Sequence, residues 1–426
     1  MANSMAVGYD RSSGSPLVLS GFSTTSQGFE AFAGTLVSSG EISATEAQNS
    51  PPFPAGTLSN MWVRVASNGT STGSPFTLRI AATNKTQTFT VGAAATGIVQ
   101  DSTHSDSVTS NQQVDCAITP SGLSLVISAL GATFSATTNT STVCSSCSVP
   151  VGGSPTTGTS YYTNITGVVE FNTAEYNSSE AVVKCRFQKT FTASGLFTTL
   201  TASSNAATLT SRNAGAGGAQ TLTYGTGVTG LVQDTTHTDS ISTNTDYDTT
   251  YSFTTLSAGS WNLVGTYLTS SSGDSNYAVM SAAQASFTAS SVTYYGLAGG
   301  LEKGDTTELS AECPINTAYT FSNIVISVIS PNNNTGTSNL RLRANGTTNA
   351  GPNAAVGPSI SGIVLDSSNT YAAASTDLCN YSFTAGSSGT ITIWHMGINA
   401  NTSAGGGPGI PNFLDWAPLK MIVDTT

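Results

Sequence analysis

The sequence predicts an all-β protein made of three tandem antiparallel β-sandwiches of the jelly-roll type. Three observations predict this fold. The chain contains an internal repeat about one domain long, it is rich in β-branched and aromatic residues but poor in charged ones, and its apolar residues alternate over short segments separated by polar turns.

The repeat is clearest in one stretch, which we call the signature. It reads GIVQDSTHSDS at residues 97–107 and GLVQDTTHTDS at residues 230–240, and a weaker copy, GIVLDSSNT, begins at Gly362. The first glycines of the copies are 133 residues apart (230 − 97) and then 132 (362 − 230). A period of this size is the length of one ordinary domain, so it indicates three domains in tandem.

The composition excludes several classes of protein. Charged residues make up 8 % of the chain, against about 25 % in an average globular protein. Val, Ile, Thr, Phe and Tyr are plentiful and patterned, which favours a folded β-protein over disorder. The net charge is −11, and the 12 Lys and Arg residues form no cluster, so we expect neither a nucleic-acid partner nor an anionic membrane partner.

The first residues of the sequence lack the basic and apolar segments of a secretory signal, and no apolar run approaches the roughly 18 residues of a membrane span. We therefore expect a soluble protein that is made in a cytoplasm without this export route.

Each repeat contains short strands at roughly regular spacing. In the first repeat, Leu78 and Ile80 alternate with polar residues and predict a strand with one buried face. In the second and third repeats the equivalent strand is followed by Asn213 to Gly215 and by Asn345-Gly346. Asn and Gly tolerate positive φ, so these residues predict a turn. The predicted organisation is an extended arm at 1–27, sandwiches at 28–137, 161–292 and 293–399, a Gly/Ser/Thr/Cys linker at 138–160, and a tail at 400–426.

The signature could bind a metal or form a turn. Asp101, His104 and Asp106 are residue types that ligate metals. In a turn, the aspartate would instead accept hydrogen bonds from nearby backbone amides. The third copy keeps Asp366 but has Asn369 in place of the histidine. A turn tolerates that change and a metal site does not, so we predict a hairpin turn. Its residues are Asp101, His104, Asp234, His237 and Asp366.

Catalysis has little support in the sequence. The chain has three histidines, and it contains neither the Gly-x-Ser-x-Gly nor the His-Glu-x-x-His motif. Its glutamates are scattered, and nothing in the pattern selects a carboxylate pair. We predict that the protein is not an enzyme and has no catalytic residue, cofactor or metal.

The six cysteines suggest several disulfide pairings. Cys185 and Cys313 occupy one repeat position, and Cys116 and Cys379 are interpreted as sharing another. The third repeat then holds both members, which makes Cys313 and Cys379 the best candidate pair. Cys116 and Cys185 could bridge two repeats or pair with the linker residues Cys144 and Cys147. The alternative is that all six remain thiols, because a chain made in a cytoplasm starts reduced.

The signature and the strand before it, residues 76–80, resemble β-sandwich modules of tailed-phage structural proteins, and they are also similar to jelly-roll domains of spore-surface trimers. The resemblance covers about a quarter of the chain, weakens at the third copy, and includes no collagen-like stalk. It implies a structural protein of the virion with no catalytic residues to carry over.

The first functional hypothesis is therefore a phage capsid decoration, head-fibre or tail-associated protein that binds the major capsid protein or other virion proteins. We expect it to form a homo-oligomer or to contact lattice neighbours through residues 1–27 and 400–426. A carbohydrate-binding adhesin is the alternative, because exposed aromatic residues can stack on sugars. Its candidates are Trp62, Tyr161, Tyr162, Tyr294, Tyr295 and Trp394, although Trp62 and Trp394 lie in strand patterns that favour core packing. A third hypothesis is the subunit of an extracellular filament, with the arm adding a strand to its neighbour.

Overall fold

The computed structural model of the chain describes residues 2–3, 15–24, 28–31, 36–37, 45–48, 50–121, 125–138, 140–147, 160–163, 167–169, 180, 185–187, 190–202, 206–242, 245–253, 260–270, 281–288, 292–296, 301–302, 308, 312–314, 318–328, 333–347, 351–374, 376–402, 411–413 and 419–420. The described residues are mostly in β-strands, so the predicted all-β class is confirmed.

The strands of the first part of the chain are β1 (Ala2–Asn3), β2 (Ser15–Thr24), β3 (Gly28–Ala31), β4 (Leu36–Val37), β5 (Pro52–Phe53), β6 (Gly56–Asn68), β7 (Ser74–Ile80), β8 (Thr83–Val91), β9 (Gly97–Val108), β10 (Gln112–Ile118) and β11 (Leu125–Ala136), with one short 3-10 helix, η1 (Glu46–Gln48). The middle part contains β12 (Thr140–Cys147), β13 (Ser160–Thr163), β14 (Gly167–Val169), β15 (Cys185–Phe187), β16 (Phe191–Ala202), β17 (Ala207–Asn213), β18 (Ala216–Tyr224), β19 (Gly230–Gln233), β20 (Thr238–Ile241), β21 (Thr245–Phe253) and β22 (Ser260–Ser270). The last part contains β23 (Ser281–Thr288), β24 (Val292–Gly296), β25 (Leu301–Glu302), β26 (Cys313–Pro314), β27 (Tyr319–Val328), β28 (Ser338–Ala344), β29 (Asn353–Val356), β30 (Gly362–Ala373), β31 (Leu378–Thr384), β32 (Thr390–Thr402), β33 (Pro411–Phe413) and β34 (Leu419–Lys420).

Most of the strands follow two arrangements, and each arrangement recurs in all three repeats. Outside them, β1 pairs with β4 and β25 pairs with β34 as two-stranded sheets. Sheet A has the order β3-β10-β7-β8 in the first repeat, β13-β21-β17-β18 in the second and β24-β31-β28-β29 in the third, with β5, β15 and β26 pairing beside it. Sheet B has the order β2-β11-β6-β9, then β12-β22-β16 with β19 and β20, then β23-β32-β27-β30. We number the resulting units sandwich 1, 2 and 3. That each sandwich folds as an independent domain stays a prediction.

Sheet B begins earlier in each repeat than predicted. Residues 15–24 were expected to lie in an arm outside the repeat, but β2 pairs antiparallel with β11 as the edge strand of sandwich 1. The reason is that β11 would otherwise present its unpaired N–H and C=O groups at the sheet edge. The rest of the predicted arm, apart from β1, lies outside the described residues.

The predicted linker and the predicted second boundary differ in the same way. The linker contains β12, which pairs antiparallel with β22 in sandwich 2. Strand β23 lies within the predicted bounds of the second sandwich, 161–292, but it pairs with β32 of the third. Strand β14 runs parallel to both β12 and β23, and it joins sheet B of sandwiches 2 and 3 into one sheet.

Parts of the predicted tail also pair with the sandwiches. Strand β33 pairs antiparallel with β32, and β34 pairs in parallel with β25.

Alternating strands build a core between the two sheets of each sandwich. In β7, Phe76, Leu78 and Ile80 are buried while the residues between them are more exposed, as the alternation predicts. The core of sandwich 3 includes Leu340 and Leu342 of β28, the strand equivalent to β7. Burial of these apolar faces stabilises each pair of sheets by removing hydrocarbon surface from water.

Candidate functional site

The signature lies at a bulge within the outer strand of sheet B, not in the predicted hairpin turn. It belongs to β9 in sandwich 1 and to β30 in sandwich 3, and in sandwich 2 it interrupts the strand between β19 and β20. On the neighbouring strand the opposite residues are Asn60, Gly195 and Asn323, with φ of 52°, 64° and 54°. Asparagine and glycine tolerate this left-handed conformation, which shifts the register of the ladder.

The first aspartate of the signature bonds the backbone groups that the bulge leaves without ladder partners. Asp101 Oδ1 accepts the backbone N–H groups of Thr103 at 3.0 Å and His104 at 3.2 Å. It also accepts the hydroxyl of Thr103 at 2.9 Å, and His104 Nδ1 lies 2.8 Å from Asp101 Oδ2. These are the local side-chain-to-backbone contacts that the sequence predicts for this aspartate.

The other two copies use the same arrangement. Asp234 Oδ1 accepts the N–H groups of Thr236 at 3.0 Å and His237 at 3.2 Å. In the third copy the Nδ2 of Asn369 donates to Asp366 Oδ2 at 2.8 Å, where the histidines place Nδ1. An amide therefore replaces the imidazole as a hydrogen-bond donor. In the part of the chain that the structure describes, no group of three His, Cys, Asp or Glu residues could hold a metal ion.

The second oxygen of each aspartate connects the two sheets. Asp101 Oδ2 accepts the backbone N–H of Thr88 in β8 at 3.1 Å. The equivalent bonds run from Thr221 to Asp234 at 2.9 Å and from Asn353 to Asp366 at 2.8 Å. Because β8 belongs to sheet A and β9 to sheet B, the carboxylate closes one open side of the sandwich.

The second aspartate of the signature repeats this connection five residues further on. Asp106 accepts the backbone N–H groups of Thr86 and Gln87, each at 3.0 Å, across the same two edge strands. Asp239 accepts the N–H of Ala219 at 2.6 Å and the hydroxyl of Tyr247 at 3.1 Å.

Hydrogen bonds keep the signature aspartates ionised. Burial would raise the pKa of Asp234, but the N–H groups of Thr236 and Thr221 and the His237 side chain outweigh it and lower the pKa to about 2. Burial also raises the pKa of Asp366. Hydrogen bonds from Asn353 and Asn369 outweigh this effect and lower the pKa to about 2. The pKa of Asp101 is lowered further for the same reasons. These carboxylates are acceptors that hold structure and do not act as proton donors near neutral pH.

A second constellation recurs in all three sandwiches, and the sequence did not reveal it. An arginine of β7, β17 or β28 forms a two-point ion pair with a glutamate from the segment before β5, β15 or β26. The Nη2 of Arg79 lies 2.7 Å from Glu46 Oε2, that of Arg212 2.7 Å from Glu180 Oε2, and that of Arg343 2.5 Å from Glu308 Oε2.

The guanidinium groups of two of these arginines also lie over aromatic rings. Arg212 lies 5.5 Å from the ring centroid of Tyr162, and Arg343 lies 5.2 Å from that of Tyr294. The two tyrosines are therefore engaged in the fold rather than held as free stacking platforms.

The cysteines fall at positions that partly match the prediction. Cys313 lies directly opposite Cys379 in antiparallel strands, and the equivalent Cys185 lies opposite Tyr247. The predicted equivalence of Cys116 and Cys379 is wrong, because the strand register places Val114 where sandwich 3 has Cys379. Cys116 instead lies opposite Leu78, at the position that Tyr381 fills opposite Leu342 in sandwich 3.

The remaining cysteines of the disulfide hypothesis are Cys144 and Cys147, and both lie on β12. The bonding of all six cysteines stays a prediction.

Two contacts join different sandwiches through equivalent patches. The loop patch combines the segment before the short strand of sheet A with the β9–β10 turn. Its described residues are 45–48, Ser50 and Asn111 in sandwich 1, and Glu312 in sandwich 3. The strand patch lies on sheet B. It consists of β6 in sandwich 1, and in sandwich 2 of the equivalent strand β16 with its neighbours β19 and β22.

In the first contact, the loop patch of sandwich 1 lies on the strand patch of sandwich 2. Asn111 Oδ1 accepts the Tyr267 hydroxyl at 2.9 Å and the side-chain amide of Gln233 at 3.3 Å. Phe197 of β16 belongs to the buried apolar cluster of sandwich 1, and Leu231 packs against that cluster.

In the second contact, the loop patch of sandwich 3 lies on the strand patch of sandwich 1. The Nη1 of Arg64 donates to the backbone carbonyl of Glu312 at 2.9 Å, and its Nη2 lies 3.5 Å from Glu312 Oε2. Arg64 in β6 is equivalent to the buried Thr199 in β16. The two contacts therefore use the same two patches in the same direction.

The comparisons with known proteins give no family for this arrangement: neither the protein-family models nor the characterised proteins contain a match to the chain. Among the described residues there is no helix with the length and apolar character to cross a membrane.

Proposed function

We propose that the chain is a virion structural protein, a phage capsid-decoration protein or another exterior head or tail component, that binds the particle surface at a position of three-fold symmetry. The observation that carries this proposal is the repeated use of the loop patch and the strand patch between sandwiches 1 and 2 and between sandwiches 3 and 1.

A contact between two different patches is heterologous, and it produces either a closed ring or an open chain of units. Sandwich 1 uses both of its patches, one toward sandwich 2 and the other toward sandwich 3. The cycle is completed if the loop patch of sandwich 2 meets the strand patch of sandwich 3. One chain then imitates a trimer around a pseudo-three-fold axis, and such a ring matches a three-fold or local three-fold position on a capsid.

The chemistry of the side chains supports a structural role. The signature carboxylates connect sheets, and the arginines pair with glutamates inside each sandwich, so both motifs are accounted for by the fold. The small number of charged residues and the resemblance of the signature to phage modules favour a surface component of a particle.

The adhesin hypothesis has less support, because several of its candidate residues are occupied within the fold. Trp62 and Tyr295 are each 1 % exposed, and Tyr162 and Tyr294 lie beneath arginines. The filament hypothesis is also less supported, because the head-to-tail patches are used within the chain and residues 15–24 pair with their own sandwich. Contacts with neighbours through 1–27 and 400–426 stay a prediction, and the described residues 15–24, 411–413 and 419–420 of these segments pair within the chain.

The test is to purify particles of the virus that encodes the chain and to measure its copy number against the major capsid protein by quantitative mass spectrometry. The proposal expects a fixed ratio, and it expects purified protein to rebind particles from which it has been stripped. Glycan-array binding by protein that is absent from particles would support the adhesin instead. A chain absent from purified particles, or one whose ratio varies between preparations, would overturn the proposal.

A further inference from the structure

A buried carboxyl group lies below the loop patch of sandwich 1. Asp115 of β10 is 1 % exposed, and its Oδ2 lies 2.6 Å from the hydroxyl oxygen of Ser50. The same hydroxyl lies 2.5 Å from the backbone carbonyl oxygen of Glu46 in η1. The side chain of Glu46 is paired with Arg79, so the arginine charge is already directed to another carboxylate.

The number of protons at Ser50 determines the state of Asp115. A serine hydroxyl carries one proton, and a carbonyl oxygen is an acceptor with no proton to donate. If Ser50 donates to the Glu46 carbonyl, the contact with Asp115 needs a proton from the carboxyl group. If Ser50 donates to Asp115 instead, the contact of 2.5 Å with the carbonyl joins two acceptors without a proton. Both contacts are hydrogen bonds only when Asp115 is a protonated acid.

Two further observations agree with a neutral group. Asp115 Oδ1 is buried and has no hydrogen-bond partner among the described residues, which is costly for a carboxylate and much less so for an acid. The strand register also places Asn380 of sandwich 3 where sandwich 1 has Asp115, since Arg343 pairs with Asn380 as Arg79 does with Asp115. A neutral amide of almost the same shape therefore fills the equivalent site of sandwich 3, fully buried, whereas sandwich 2 has the buried Asp248 at this position.

We propose that Asp115 is protonated at neutral pH, and that its ionisation in mildly alkaline solution loosens the contact between sandwiches 1 and 2. Helix η1 connects the two events. It carries Glu46, and it contacts β16 and β19 of sandwich 2, with Ala47 placed against Gly230. Loss of the proton from the acid to solvent hydroxide leaves a second negative charge beside Glu46. It also removes the donor to Ser50, so the single Ser50 proton can no longer satisfy both the Asp115 carboxylate and the Glu46 carbonyl of η1.

The charges that act on Asp115 come from Glu46 on η1, which is negative, and Arg79 on β7, which is positive. On β3 the residue opposite Asp115 is the uncharged Ala31. Burial raises the pKa of Asp115, and the charge of Glu46 adds to this. The Ser50 hydrogen bond and the Arg79 charge act in the opposite direction, and the resulting pKa is about 8.

The sign of the effect follows from the two states of the chain. The pKa of Asp115 is raised in the folded state, and an aspartate in an unfolded chain titrates near pH 3.9. The folded state therefore holds one more proton between about pH 4 and pH 8, and this group's contribution to stability is lost as pH rises. The contribution of Asp115 alone raises the unfolding constant about tenfold per pH unit in that window.

The test compares wild type with Asp115→Asn, which copies the natural residue of sandwich 3. Unfolding midpoints in urea are measured from pH 5 to pH 9, and amide hydrogen exchange of η1 and β16, corrected for its intrinsic pH dependence, is measured at pH 7 and pH 9. The proposal expects wild type to lose stability, and η1 and β16 to exchange faster, as pH rises. It expects the variant to show neither change. The matched control is Asp106→Asn, because the pKa of Asp106 is lowered and its removal should leave the alkaline dependence in place.

A spectroscopic measurement on unmodified protein does not depend on whether the variants fold. Difference infrared spectra between pH 6 and pH 9 should contain the carbonyl stretch of a buried protonated carboxyl group that disappears at alkaline pH. Absence of that band at pH 6 would overturn the proposal. Loss of the band without any change in exchange at β16 would overturn the link between ionisation and the contact.

Discussion

At the residue scale, the signature aspartate compensates for a break that the bulge makes in sheet B. The bulge deprives two successive N–H groups of ladder partners, and Asp101 accepts both while its second oxygen bonds Thr88 in the other sheet. A carboxylate suits this position because it is an acceptor at both oxygens. The histidine is only one of its donors, which explains why Asn369 replaces it in the third copy.

Two substitutions separate the roles of the aspartate and the histidine. His104→Asn copies the third repeat, and we expect it to change the free energy of unfolding by less than about 0.5 kcal/mol. Asp101→Asn replaces one acceptor oxygen with an NH2 group, which faces N–H donors that it cannot accept. We expect this variant to lower the free energy of unfolding by about 2–3 kcal/mol. Denaturant titrations of both variants measure the difference. Equal losses would contradict the account, as would a dependence of wild-type stability on Zn²⁺.

The signature carboxylates also predict sensitivity to acid. In the folded state the pKa values of Asp234 and Asp366 are about 2, below the value of about 3.9 in an unfolded chain. The unfolded state therefore binds more protons in this range. The stabilisation is present above about pH 4 and is lost as pH falls toward 2. Unfolding midpoints measured from pH 5 to pH 2 should fall more steeply for wild type than for Asp366→Asn, and parallel curves would count against this interpretation.

At the element scale, the turn that joins β7 to β8 differs among the sandwiches. Asn345-Gly346 and Ala214-Gly215 have positive φ at both residues, which is the geometry of a two-residue hairpin turn. Sandwich 1 places Ala81 and Ala82 in the same conformation, with φ of 50° and 57°. Alanine is strained there because its Cβ approaches the following carbonyl oxygen.

This difference predicts a stabilising change. The double substitution Ala81→Asn with Ala82→Gly transfers the turn of sandwich 3 into sandwich 1. We expect it to raise the free energy of unfolding by about 1–2 kcal/mol, because two residues are relieved of the left-handed strain. The carbonyl of residue 82, which accepts a hydrogen bond from Arg79, is retained. Gly346→Ala is the reciprocal control and should destabilise sandwich 3. A double variant no more stable than wild type in a thermal melt would show that the turn is not strained.

The same elements show what could be predicted from the sequence. Strands such as β7 and β28 were predictable because the alternation of apolar and polar residues is a local signal, and the Asn-Gly turn after β28 is another. Strand β12 was missed because its Ser/Thr/Cys sequence resembles a linker, and its place in sheet B depends on β22, more than a hundred residues away. The pair Arg212–Glu180 was missed for a similar reason, since its partners are 32 residues apart (212 − 180) with no local pattern between them.

At the scale of the whole molecule, the contacts between sandwiches decide between a compact ring and an extended row. Arg64 and Asn111 connect sandwich 1 to both of the others, which a row in chain order would not do. A compact chain of 426 residues has a radius of gyration of about 22 Å. Three sandwiches in a row would exceed about 30 Å on the same scaling. Small-angle X-ray scattering of the purified chain should give a radius of gyration near about 22 Å, and a radius near or above about 30 Å would exclude the ring.

The most direct test of the proposed role is an electron cryo-microscopy reconstruction of the particles that carry the chain, without symmetry imposed on the bound protein. The account predicts one chain at each occupied three-fold or local three-fold position, with its three sandwiches arranged around the axis and their loop patches following one another in one direction. Density for the chain away from any three-fold position, or three sandwiches lying in a row along the surface, would contradict it.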